Sequence, residues 1–108
     1  MKALTADDRQ NLRRIGHHLK PVILLGAQGV TPALIEELQR ALGDHELIKV
    51  RLYGEDRDQR QANLQTLIEA TGCQLVQSIG KIALLLRRNT QPNARLSNLQ
   101  RFAHLLNR

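Results

Sequence analysis

The stretch "LLGAQGVTP", residues 24–32, sets two glycines in a G-x-x-G spacing between an apolar run and a Thr-Pro pair. Backbone N–H groups of a glycine loop, followed at once by a helix N-terminus, offer donors and a partial positive charge, the chemistry that holds a phosphate. Gly26 and Gly29 would let a sugar-phosphate chain come close, and glycine accepts positive φ values that other residues resist. Ala27, Gln28 and Thr31 complete the loop. The plainer alternative is that the motif only turns the chain between a strand and a helix, because short glycine patterns recur by chance. A P-loop would need Lys-Ser/Thr directly after the glycines; here "GAQGVT" runs on to Pro32, which counts against an enzyme that cradles a nucleotide phosphate.

Lys20, Lys49, Arg51 and Lys81 are the cations expected near this loop or on an exposed sheet face. Arg9 and Arg13 form a second group. Any one of them could be a plain solvated charge, but phosphate binding needs several together. Other chemistries find less support. His17 and His18 are adjacent and point to different sides of a helix, and His45 and His104 lie far off in sequence, so no metal site is expected. Asp7, Asp8, Glu55, Asp56 and Asp58 stand where helix caps and first-turn acids belong, which suits capping better than acid–base catalysis. Cys73, the single cysteine, opens a β run without a His partner and reads as a small core residue.

Sixteen Lys and Arg against ten Asp and Glu give a net charge of +6, which favours polyanionic partners. Charge alone does not choose between RNA, DNA and an anionic membrane. With one Phe, one Tyr and no Trp among 108 residues, the core must be aliphatic, and a row of aromatic base-stacking platforms is nearly excluded. One cysteine excludes an internal disulfide, as expected of a cytoplasmic protein. No apolar run approaches a membrane span, and "MKALTADDRQ" lacks the apolar stretch of a secretory signal.

The elements that must position these residues follow from local signals. Thr5 and Asp8 have capping-box spacing for a first helix, with Leu12, Ile15 and Leu19 on one side and Arg9, Arg13 and His17 on another. Gly16 and Lys20-Pro21 mark its end. Val22 to Leu25, apolar without alternation, reads as a strand covered on both sides. Thr31 caps and Pro32 begins a second helix carrying Leu34, Ile35, Leu38 and Leu42, with Gly43 as its stop. "HELIKVRLYG" alternates Ile48, Val50 and Leu52 against Lys49, Arg51 and Tyr53, a half-exposed strand with one basic face. Asp56 caps a third helix bearing Leu64, Leu67, Ile68 and Thr71 and ending at Gly72. Gly80-Lys81 then divides two β runs as a tight hairpin turn. The order α-β-α-β-α-β-β predicts a single α/β domain with one mixed sheet covered by helices. After Arg88, "RRNTQPNAR" loses periodicity and reads as a linker or mobile arm. Ser97 then caps a short helix with Leu99, Phe102, Ala103 and Leu106 on one side, to dock on the core or await a partner.

Four blocks, "LKPVILLGAQGVT", "HELIKVRL", "GEDRDQR" and "SIGKIALLLRR", resemble in order and spacing the bacterial YhbY proteins, stand-alone members of the CRM (chloroplast RNA splicing and ribosome maturation) domain family. The resemblance spans about Leu4 to Arg88. It implies a fold similar to the C-terminal domain of bacterial initiation factor three, with residues 1–88 as the RNA-binding domain and 89–108 as an extension outside the common core. It also implies a non-catalytic protein that binds ribosomal RNA in precursors of the large ribosomal subunit, with no cofactor and no small-molecule substrate. The family's loop, likened to that of KH domains, falls on Gly26, Ala27, Gln28 and Gly29. Many members carry a charged or amide residue there; here Ala27 contributes no polar group and Gln28 a neutral amide, so contact would rest on backbone donors and neighbouring cations. DNA binding is disfavoured by the lack of a helix-turn-helix.

Overall fold

A computed structural model describes residues 3–106; the outermost residues of the two expected segments, 1–2 and 107–108, lie outside the described residues. The elements run α1 (Ala6–Gly16), β1 (Pro21–Leu24), α2 (Pro32–His45), β2 (Leu47–Arg51), α3 (Arg57–Thr71), β3 (Gln74–Ile79), β4 (Ile82–Leu86) and α4 (Asn98–Arg101), with a 3₁₀ turn at Ala103–Leu105. The sheet order is β1-β2-β4-β3, with β1 parallel to β2 and the other pairs antiparallel, so the sheet is mixed as the element order requires. No helix among the described residues is long and apolar enough to cross a membrane.

Local chemistry explains most boundaries. Thr5 and Asp8 close a reciprocal capping box, Thr31 Oγ1 accepts from the Leu34 N–H, and Asp56 Oδ1 accepts from the Asp58 and Gln59 N–H groups. Gly72 ends α3 at φ +71, and Gly80 at φ +57 turns the β3–β4 hairpin so that Ile79 faces Ile82.

The alternation of β2 sorts the sheet into two faces. Ile48, Val50 and Leu52 join Leu38, Leu42, Leu64, Leu67 and Leu85 in a core under α2 and α3. Leu47, Leu84 and Leu86 face the other way, onto Leu12 and Ile15 of α1 and Leu99 of α4. At the end of α1 a Cβ on Gly16 would stand 2.9 Å from Leu84 Cδ2, so the missing side chain lets the helix close onto β4.

Three features differ from the sequence reading. The first strand is Pro21–Leu24, and it is covered on one side only: Val22 and Leu24 are 49% and 66% exposed. The reason is topological, since β1 is an edge strand and the α1-side cluster packs on β2, β3 and β4 without taking in β1. Second, α2 passes Gly43 and ends at His45, with the buried Glu46 as C-cap at φ +61. A non-glycine residue holds this conformation only when its surroundings enforce it. Here the Asn89 N–H donates to Glu46 Oε2 and the Ser97 hydroxyl to Oε1, each at 2.6 Å. Third, the apolar side of the last segment is reordered. Because the helix gives way to a 3₁₀ turn, Leu105 joins Leu99, Phe102 and Leu106 on the core while Ala103 stays exposed.

The segment after Arg88 is therefore stitched to the body. Asn98 Nδ2 donates to Leu47 O at 2.7 Å, and Ser97 caps α4 while it binds Glu46. Ser97→Ala leaves one buried carboxylate oxygen short of a donor and removes the cap, so it should destabilise the fold by about 1–3 kcal/mol. Urea denaturation checks this; an unchanged midpoint would mean that the segment adds nothing to folding.

Candidate nucleic-acid interface

On β2, Lys49 and Arg51 share the face of Leu47, and Lys49 adjoins the end of α1 at Gly16 and His17. Lys49 is half-buried and Arg51 exposed. In register, Lys49 stands between Pro21 and Leu84, and Arg51 between Leu24 and Ile82. Ile79 at the far edge is 65% exposed, so this open half of the sheet is an apolar floor crossed by cations. Two clefts meet at Lys49. One, of about 330 Å³, includes Arg13, His17, Gln77 and Ile82; the other, of about 200 Å³, includes Lys20 and Val22. Neither lining contains an Asp or Glu.

Arg9 is used differently from Arg13. Its Nη1 donates to Leu75 O and Val76 O at 2.8 and 2.9 Å, where the register of β3 shifts between Leu75 and Gln77. A bulge presents carbonyls that its partner strand cannot satisfy, and Arg9 satisfies them from α1. That is a structural task.

The glycine loop opens at the end of this stripe. Leu25 N–H donates to Arg51 O at 2.8 Å, and Gly26 follows at once. Gly29 lies at φ +74, and its N–H closes the turn onto Gly26 O at 3.0 Å, so this glycine is required by the backbone. Gly26 is different. Its φ is not positive, and a Cβ there would meet nothing within 4 Å, so the fold itself has no need of a glycine at this position. Thr31 spends its hydroxyl on the α2 cap.

A cleft of about 350 Å³ separates the loop from the start of α3, lined by Gly26–Gly29, Tyr53, Glu55 and Asp56 among others. Lys81, at the hairpin tip, faces this region but is engaged: Nζ donates to Glu55 Oε1 at 2.6 Å. That hydrogen bond, with the lysine charge behind it, holds the Glu55 carboxyl below its usual range. Leu52 N–H binds Lys81 O at 2.7 Å, fixing the tip beside the exit of β2. Hence Lys20 and Lys49 lie in clefts without a carboxylate and Arg51 continues their row to the entry of the loop, whereas Lys81 belongs to a locally neutralised corner. Burial raises the Cys73 thiol pKa, in keeping with a core role.

Several neighbours of the tract carried no signal of their own in the sequence. Tyr53, 58% exposed beside the loop, shows only as the out-facing position after Arg51. Arg101 and Phe102 come from the far end of the chain to the cleft that holds Lys20 and Lys49.

Fold and site together define a class: a small α/β domain with one mixed sheet, whose open half carries cations toward a G-x-x-G loop. The chain belongs to the CRS1/YhbY (CRM) domain family, whose model matches residues 4–87. It is 50% identical over 101 residues to a protein of Pseudomonas aeruginosa named a probable RNA-binding protein, covering 94% of this chain and 97% of that one. An RNA-binding protein of Haemophilus influenzae is 36% identical over 96 residues, covering 89% of this chain and 97% of that one. The solution structure of the Staphylococcus aureus protein SAV1595 superposes with a TM-score of 0.71 at 30% identity, over 82% of this chain and 93% of that one.

Proposed function

We propose that the protein is a non-catalytic RNA-binding factor of the cytoplasm that binds ribosomal RNA in precursors of the large ribosomal subunit and assists their assembly. The observation that carries the RNA reading is the row of Lys20, Lys49 and Arg51: the clefts around Lys20 and Lys49 hold no carboxylate, and Arg51 adjoins the glycine loop through the Leu25 N–H. Phosphates along an RNA backbone match such a tract, since each one neutralised releases counterions. The names of the relatives from P. aeruginosa and H. influenzae support RNA as the polyanion. The ribosomal target rests on the family resemblance. An enzyme using the loop as a nucleotide cradle is disfavoured by the lack of a Lys-Ser/Thr pair after the glycines, where "GAQGVT" runs on to Pro32.

On sucrose gradients of growing cells at low salt, the protein should travel with large-subunit particles, above all immature ones, and leave them at high salt. Finding it only at the top of the gradient would refute the ribosomal assignment.

A further inference from the structure

The docked C-terminal segment, outside the family match at residues 4–87, brings new groups to the smaller cleft. Asn98 is the pivot. Its Nδ2 donates to Leu47 O at 2.7 Å, while its Oδ1 accepts from Arg101 Nη1 at 3.1 Å. The Arg101 guanidinium thus held lies 5.3 Å from the centroid of the Phe102 ring. The exposed His18 ring stacks on the same phenyl ring at 5.5 Å with 14° between planes. Lys20, Lys49 and Val22 line the same cleft.

We infer that this cleft is a subsite for one unpaired nucleotide of single-stranded RNA, its base stacked on the His18 ring and its flanking phosphates held by Lys20, Lys49 and Arg101. The inference rests on the RNA-binding reading and names a site within it. Composition argues against a row of aromatic platforms, but one flat ring backed by another suffices for one base, because every base offers a π-face. The volume, about 200 Å³, is below the roughly 300 Å³ at which small-molecule pockets begin, and the cleft is open at the surface. A nucleotide held as part of a passing strand fits it better than an enclosed metabolite. The charge also selects an anion: three cations and no carboxylate line the cleft, in contrast to the loop cleft with Glu55 and Asp56.

The test uses the full chain and two labelled RNAs, a seven-nucleotide single strand carrying 2-aminopurine and a fully paired hairpin. Stacking on the ring should quench the 2-aminopurine emission when the parent protein binds. His18→Ala, a change at an exposed position, should abolish the quenching and weaken the single strand about tenfold, while the hairpin changes less than twofold. Phe102→Leu, which keeps an apolar filler under the histidine, should act in the same direction. Arg101→Gln should reduce the slope of log K against log salt for the single strand by about 0.7. Folded His18→Ala protein that quenches and binds like the parent overturns the subsite while leaving RNA binding intact. If the parent binds neither RNA, the RNA-binding reading fails with it.

Discussion

Replacing Lys20, Lys49 and Arg51 together by glutamine should lower RNA affinity about 100-fold at 0.1 M salt. For a single strand the binding constant varies with salt to the power of about −0.7 per neutralised phosphate, so each contact is worth about fivefold at that concentration. Three contacts multiply to about two orders of magnitude. The slope of log K against log salt should become shallower by about 2; a parent that neutralises about five phosphates would start near −3.5. The loss should be similar across RNA sequences, since phosphate contacts position the strand without reading bases. Glutamine keeps much of the side-chain stem that lies on the apolar floor, so the melting temperature should stay near that of the parent. A triple variant with unchanged affinity and slope would show that the tract is an ordinary solvated surface.

The second large effect is at the loop, where the structure separates two glycines that look equivalent in sequence. Gly29 sits at φ +74 and closes the turn, so a side chain there strains the backbone before any ligand is considered. Gly26 carries neither burden: open space surrounds its missing Cβ. Gly26→Glu should therefore melt as the parent does, within the propensity cost of less than about 1 kcal/mol, yet bind RNA at least tenfold more weakly. A carboxylate there meets the phosphate that the loop is meant to approach. Glu55→Gln should move affinity the other way by severalfold, because it removes one anion from the loop cleft and releases Lys81 from its ion pair. Normal RNA binding by a folded Gly26→Glu protein would leave the loop as a turn and nothing more.

The parts of the fold legible in the sequence are those whose causes are local. Thr5 with Asp8, Thr31 with Pro32 and Asp56 each announce a helix start within four residues. The alternation of β2 correctly assigned Lys49 and Arg51 to one face and Ile48, Val50 and Leu52 to the other. What misled was tertiary in origin. Gly43 has the look of a helix stop, but α2 continues because Asn89 and Ser97, more than forty residues on, hold Glu46 in its unusual conformation. Val22 and Leu24 read as buried because an apolar run carries no record of which strand will lie at a sheet edge.

The candidate site divides in the same way. That Lys49 and Arg51 share an open face was readable from period-two patterning, and the positive φ of Gly29 was within what a G-x-x-G loop suggests. The pairing of Lys81 with Glu55 joins residues 26 apart, and the meeting of Arg101 and Phe102 with Lys20 and Lys49 spans still longer separations. Neither leaves a periodic or motif signal, since each depends on how the hairpin tip and the C-terminal segment dock.

The central claim is that RNA lies along the open half of the sheet and reaches the glycine loop. Ultraviolet crosslinking in growing cells, followed by mass-spectrometric mapping of nucleotide adducts and sequencing of the attached RNA, tests it most directly. The predicted adducts fall in the segments 18–29 and 49–53 and carry large-subunit ribosomal RNA. Adducts confined to the outer surfaces of α2 and α3, or an absence of crosslinked RNA, would contradict the account.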